Sequence, residues 1–481
     1  MNTGASWPTA EQAEARVLEI QTKLHQRATD EPQHRFADLY NLVYDPAFLV
    51  IAWKRVKGNR GARTAGVDGQ TAYYIAAERG EEEFLTDLRS ELKARTFHPL
   101  SVRERMIPKS GGKRRRLGIP TVRDRVAQAA LKLVLEPIFE ADFKPCSYGF
   151  RPGRRTQDAI AEIHHFCSRS YDWVVEGDIT ACFDEISHTG LLDRMRQRVG
   201  DKRVLALVKA FLKAGILGED GIERDTNTGT PQGGILSPLL SNIALSVLDD
   251  HFAMAWVTMG QTSGERQQRR LKGLATYRLI RYADDFVVLI AGTREHAQAM
   301  REEVAAVLQP MGLRLSDTKT RIVHIDEGFD FLGFRIQRQR KRGSGKRFIY
   351  TFPSKAALMA VKGKVRTLTQ GTTNQSLSIL LHRLTPVLRG WTTYFRHGVS
   401  KRTFSYLRAF TWRRVVGWLR HKHRRRNWKW LRRHHLPGWW PTEGQVTLFN
   451  PGAVAVTRYR YRANRIASPW ATLMPRVIGS P

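Results

Sequence analysis

The sequence predicts an α+β fold, on three observations. Two apolar runs rich in β-branched and aromatic residues, 173–178 and 276–290, read as strands. Segments 126–143 and 295–311 carry apolar residues at helical spacing. From residue 352 onward the pattern is helical again, and this last part holds most of the chain's excess positive charge.

Taken in order, residues 1–35 read as helical and polar. Residues 39–56 place Leu42, Phe48, Leu49, Ala52 and Trp53 at helical spacing before a glycine-rich loop over 59–69. Residues 105–118 form a predicted hairpin turning at Gly111-Gly112, with six cations on and around it. The 126–143 helix puts Leu131, Val134, Leu135, Ile138 and Phe139 on one face, and Pro137 is expected to kink it. A Gly/Arg-rich loop over 147–155 precedes the strand that runs into Asp178. In 229–238, Gly233-Gly234 lets backbone approach a ligand closely just before a helix, and the Gln232 amide suits a base or a sugar. Residues 260–272 are polar and read as a mobile surface insertion. The strand pair around Asp284-Asp285 follows. The helix over 295–311 turns Ala297, Met300, Val304, Val307 and Leu308 inward and is stopped by Gly312. Residues 313–334 read as short strands and 337–346 as a boundary loop. The helical part is interrupted at 371–375 and closed by 437–441. The remainder is Gly/Pro-punctuated and irregular, and there is no internal repeat.

Charge points to the partner. The chain of 481 residues is formally +34. Residues 331–481 hold 32 lysines and arginines against the single acid Glu443, a net of +31, which leaves +3 for the first 330 residues. Such a tail neutralises phosphates, with counterion release as the driving force. Trp391, Tyr394, Phe395, Phe404, Trp412, Trp418, Trp428 and Trp430 are interleaved with the charges, so the tail can bury a core and offer faces to bases. Cys146, Cys167 and Cys182 show no metal or disulfide spacing. The first 19 residues lack the apolar core of a secretion signal, and no apolar run approaches about 18 residues. The expectation is a cytoplasmic, nucleoid-associated bacterial protein that is neither secreted nor bound to a membrane.

Asp284 and Asp285 sit side by side at the junction of two strands, and Asp178 ends another. Carboxylates gathered at strand ends repel unless a cation lies between them. Two Mg²⁺ about 3.5–4 Å apart, held by such groups, drive in-line attack of a hydroxyl on a phosphate.

The order of these segments resembles that of group II intron-encoded reverse transcriptases, or maturases, over about residues 35–470. Residues 105–120 resemble the family's fingers hairpin, and 124–154 its following helix and Gly-Phe-Arg-Pro-Gly loop. Residues 178–183 match the first palm motif, 229–237 the Pro-Gln-Gly motif and 282–285 the Tyr-x-Asp-Asp box. Residues 312–319 and 329–334 match the last two polymerase motifs, and 388–395 the opening of the maturase domain. Arg116 departs from the family's usual proline, and the cysteine and histidine pairs of a zinc-dependent endonuclease are missing. His421, His423, His434 and His435 read as RNA-facing or surface groups.

The resemblance implies a right-hand polymerase, with fingers and an antiparallel palm sheet, followed by an α-helical thumb or maturase domain and a basic C-terminal region. The expected domains are an N-terminal extension (1–35), fingers (36–170), palm (171–345), thumb (346–436) and a DNA-binding-like region without endonuclease (437–481). Asp178, Asp284 and Asp285 are the expected catalytic residues and ligands of two Mg²⁺, or of Mn²⁺, with the Ile179 carbonyl as a further ligand. Asp184 and Glu185 lie past the strand end and are not expected to be ligands. Lys109 and Arg115 are candidates for the triphosphate, Phe183 for a gate beneath the sugar, Gln232 for the nucleotide or template, and Lys319 for the pyrophosphate side. Arg151, Arg389, Trp391, Tyr394, Arg424, Arg425 and Arg426 are candidates for RNA or DNA contact. Implied partners are intron RNA, an RNA template with DNA primer, dNTPs and target DNA. Two rivals remain: a non-catalytic RNA-binding splicing factor, and a domesticated relative serving phage defence or a CRISPR locus.

Overall fold

The computed structural model describes residues 7–108, 114–371 and 373–471. The strands that precede the C-terminal helices are, in chain order, β1 (Val102–Pro108), β2 (Arg114–Ile119), β3 (Trp173–Gly177), β4 (Ile216–Leu217), β5 (Glu223–Arg224), β6 (Thr276–Tyr282), β7 (Asp285–Ala291), β8 (Arg321–His324), β9 (Phe329–Phe331), β10 (Phe334–Arg340) and β11 (Arg347–Pro353). They form an antiparallel sheet in the order β6-β7-β3-β8, a second sheet β2-β1-β4-β5 and a third, β11-β10-β9.

β7 reads as unbroken apolar sequence because both of its faces are covered. Phe286, Val288 and Ile290 pack into a core with the helices Ser237–Thr258 and Arg294–Leu308. Val287, Leu289 and Ala291 pack on the other side against the helix Thr156–Cys167 and the β9–β10 pair. A strand buried on both sides loses the apolar-polar alternation of a half-exposed one.

The helix Val122–Asp142 is the central pillar, with its N-terminus capped by the Thr121 side chain accepting from the Asp124 amide. It runs through Pro137 rather than ending there. Proline removes the amide that would bond the Leu133 carbonyl four residues back. Gln21 of the N-terminal helix Ala10–Asp30 supplies a donor instead, its Nε2 lying 2.7 Å from that carbonyl.

Residues 260–272 lie at the surface and contain a helix, Ser263–Leu271, which Thr262 caps while the Glu265 carboxylate accepts from the Gln261 amide. Arg266 also lies over the Trp256 ring at 4.3 Å. Strand β11 extends one residue past the expected start of helix at 352, held by pairing Phe352 with Arg335. The helices Lys355–Gln370, Leu377–Phe395, Lys401–Lys422 and Trp428–His435 then build a separate core around Leu381, Leu384, Leu388, Leu407 and Leu419. Residues 453–471 return across the molecule, and Trp470 Nε1 donates to Gln21 Oε1 at 3.1 Å. Among the described residues no helix is long and apolar enough to cross a membrane.

Candidate active site

The β6–β7 connection is a two-residue turn, Ala283-Asp284, with Tyr282 paired to Asp285. Ala283 is left-handed (φ 59°), which suits the twist of a tight hairpin. Arg281 holds this turn from behind. It is fully buried, pairs with the equally buried Asp249 at 2.5 Å, and donates to Asn242 Oδ1 and the Ala283 carbonyl, both at 2.9 Å. Gly149 presses so close that a Cβ there would stand 2.2 Å from the Ala283 amide nitrogen. The 147–155 loop therefore braces the hairpin tip.

β3 pairs with β7 so that Gly177 lies opposite Phe286. Continued by one residue, the register sets Asp178 opposite Asp285, next to the turn that carries Asp284. Gly177 is required here, because a Cβ would lie 2.0 Å from the Phe286 ring. Past the strand, Ile179 bridges to Leu315 through the Asp178 carbonyl and the Thr180 amide, which leaves the Ile179 carbonyl outside the pairing. Lys319 Nζ sits on Asp178 Oδ2 at 2.7 Å. Cys182 is buried nearby, and burial together with the negative charge of Asp284 pushes its thiol up to about 12.

The 229–234 loop lies over this corner. Gly229 (φ 82°) passes so close to the backbone of Phe183 and Asp184 that a Cβ would stand 2.6 Å away. The Phe183 carbonyl accepts from Thr230, and the Phe183 ring is half-buried. Gln232 donates through Nε2 to Asp184 Oδ2 at 3.1 Å, while its carbonyl accepts from Gly118 at 2.7 Å, so it ties the β1–β2 hairpin to the acidic corner. Burial raises the Asp184 carboxyl, against the opposing pull of Arg116, Gln232 and Arg115. Glu185 pairs with Arg314 at 3.2 Å. Arg116, the departure from the family pattern, is matched across the hairpin by Glu104 at 2.9 Å. Lys109 lies outside the described residues.

Sequence reasoning missed Glu176. Burial pushes its carboxyl up to about 7, with Arg321, Asp330 and Arg335 around it. The signal was there, an acid inside the apolar run Trp-Val-Val-Glu-Gly two residues before Asp178. It also missed Arg281 and Asp249, whose partnership spans 32 residues.

Three candidates for nucleic-acid contact have partners within the protein. Arg151 is buried against Glu140 at 2.7 Å and donates to the carbonyls of Lys144 and Ser147, so its guanidinium is engaged inside the protein. Trp391 packs against Phe395 and Phe404 with ring centroids 4.7 and 5.9 Å apart. Tyr394 stacks on Phe334 at 5.6 Å and donates to the Leu332 carbonyl. Tyr394 fastens the helix Leu377–Phe395 to the β9–β10 turn, and Trp391 packs it against the helix Lys401–Lys422. Arg389, Arg424, Arg425 and Arg426 are exposed. His423 stacks on His435 at 5.0 Å.

Among the described residues no three His, Cys, Asp or Glu side chains are already drawn together as a metal-holding group. Asp178 has the Lys319 ammonium as its counter-charge. Carboxylate oxygens at neighbouring strand ends are nonetheless the donors that hard divalent cations take, and the charge of Lys319 marks Asp178 as a site where a cation is favoured.

Acidic strand ends, a glutamine loop and a basic hairpin converge on one corner. Residues 107–336 match the family model described as "Reverse transcriptase (RNA-dependent DNA polymerase)", and residues 358–436 match "Group II intron, maturase-specific domain". The chain is 37% identical over 376 residues to "Protein YkfC" of Escherichia coli (strain K12), covering 73% of this chain and 97% of that protein. It is 32% identical over 376 residues to "Group II intron-encoded protein LtrA" of Lactococcus lactis subsp. cremoris, covering 69% of this chain and 61% of LtrA. It is 27% identical over 310 residues to "Nuclear intron maturase 1, mitochondrial" of Arabidopsis thaliana, covering 47% of this chain and 43% of that protein. The chain carries an RNA-directed DNA polymerase domain followed by a helical maturase domain, and it belongs to the group II intron reverse transcriptase/maturase family.

Proposed function

We propose that this chain copies intron RNA into DNA and binds the same RNA to assist its splicing. The single observation that supports the first activity is the register of β3 on β7, whose last pair, Gly177 opposite Phe286, is flanked by Asp178 on one strand and Asp285 on the other. In this reading Asp178, Asp284 and Asp285, with the Ile179 carbonyl, hold two Mg²⁺, for which Mn²⁺ can substitute. Bound there, the metals sharpen the primer 3′-hydroxyl as a nucleophile and stabilise the leaving pyrophosphate. Lys319, now paired with Asp178, would supply positive charge on the pyrophosphate side. Lys109 and Arg115 hold the triphosphate, fixed cations being suited to charge that develops on phosphoryl oxygens. Gln232 fixes the nucleotide against the template, and the Phe183 ring fills the space that a 2′-hydroxyl needs.

In the same reading residues 36–170 act as fingers, 171–345 as palm and 346–436 as thumb, arranged as a right hand, with 1–35 an N-terminal extension. Arg389, Arg424, Arg425 and Arg426 meet RNA phosphates, and 437–481 meets target DNA. Purified protein given an RNA template, a DNA primer, dNTPs and Mg²⁺ is expected to extend the primer, to stop with a chelator, and to resume with Mn²⁺. Strong intron-RNA binding with no extension under any of these conditions would favour the non-catalytic splicing factor instead.

A further inference from the structure

A cleft of about 1210 Å³ runs between the helix Thr156–Cys167, the β10–β11 pair, residues 397–401 and the segment 456–461, and it shares no lining residue with the aspartate corner. Small-molecule pockets span about 300–1,000 Å³, so this cleft suits an extended ligand.

Its charge is one-sided. Both acids of the flanking helix are engaged within the protein. Asp158 takes Arg462 at 2.7 Å and the Tyr459 hydroxyl at 3.0 Å. Glu162 takes Arg278 at 2.5 Å and the Tyr461 hydroxyl at 3.3 Å. The cations lining the cleft have no such partner among the described residues. Arg169 bonds His165, and Lys401 bonds the carbonyls of Gly452 and Val454. Arg458 and Arg460 are exposed. The extended Arg458-Tyr459-Arg460-Tyr461 run alternates, with its tyrosines turned onto the helix and its arginines left outside.

The cleft also exposes apolar surface. Phe348 is 46% exposed, Val399 55% and Val456 40%, and all three line it from separate elements. Unpaired cations beside exposed aromatic and apolar faces are what single-stranded nucleic acid recognition uses, because stacking platforms take the bases and cations take the phosphates. A duplex keeps its base faces covered and would leave Phe348 without a partner.

We propose that this cleft holds an unpaired stretch of nucleic acid, with bases against Phe348 and phosphates at Arg169, Lys401, Arg458 and Arg460. The inference rests on the reading above, in which 437–481 meets nucleic acid, and narrows the contact at 456–461 to an unpaired strand. The test is photocrosslinking of the full chain to a 4-thiouridine oligouridylate of about 12 nucleotides, with crosslinked peptides mapped by mass spectrometry. The same oligomer annealed to its complement is run beside it. Crosslinks are expected on β11 and on 456–461 from the single strand alone. They should fall about tenfold or more in Arg458→Glu/Arg460→Glu and in Phe348→Ser. Primer extension on a short template should keep its wild-type rate in both variants, which separates this site from the aspartate corner. Crosslinks absent from these segments, equal from the duplex, or unchanged in the charge-reversed variant would overturn the proposal, whether or not the protein polymerises. Arg458 and Arg460 make no hydrogen bond among the described residues, so their replacement leaves the fold intact.

Discussion

Arg281 is a guanidinium with no contact with water, placed one turn behind the proposed metal ligands and neutralised only by Asp249. Removing one partner of a buried pair leaves the other charge stranded, at a cost of about 3–5 kcal/mol. Asp249→Ala is therefore expected to lower stability by about that much in urea denaturation. The double replacement Arg281→Met/Asp249→Leu should recover much of it while loosening the hairpin tip. Asp201 gives a pH signature. Arg203 and the amides of Leu39 and Tyr40 bond its carboxylate and hold it well below the usual range, even though burial alone would raise it. A carboxylate depressed on folding stabilises above its unfolded pKa of about 3.9 and loses that contribution as pH falls toward the folded value. Thermal melts from pH 5 downward should show this loss, and Asp201→Asn should flatten it. Phe183→Val should admit ribonucleotides, lowering the ratio of dNTP to rNTP incorporation by roughly ten- to a hundredfold in competition assays.

At the scale of elements, the 229–234 loop is seated by a glycine that no other residue replaces without strain. Gly229→Ala should lift the loop from Phe183 and Asp184 and raise KM for dNTP, with little change in melting temperature. The strands around this corner were legible because each is a β-branched run bounded by turn residues, and the paired acids at 284–285 announced a strand end. The helix Ser263–Leu271 was not legible as one, because its exposed face offers no apolar period and its order comes from a local cap. The internal partners of Arg151, Trp391 and Tyr394 were not legible, for a different reason. An arginine facing a phosphate and one facing a buried carboxylate look alike in sequence, and Glu140 and Phe334 become their partners only through packing. Glu176 was passed over because the strand reading absorbed it.

For the whole molecule, the division of charge is the governing feature. The half that holds the acids is nearly neutral, and the half that would grip RNA is +31. If that half meets 6–10 phosphates, RNA affinity should fall by about 10³–10⁵ between 50 and 200 mM salt. A filter-binding titration that found affinity flat over this range would remove electrostatics as its source. Residues 453–471 tie this basic part back onto the N-terminal helix, where Trp470 Nε1 donates to Gln21. The account as a whole turns on the corner where β3 meets the β6–β7 hairpin. Single-turnover primer extension on an RNA template with Asp178→Asn and Asp284→Asn tests it most directly. Each variant is expected to bind template and primer as the unaltered protein does, and to extend about a thousandfold more slowly or not at all. Extension at the unaltered rate by either one would contradict the account.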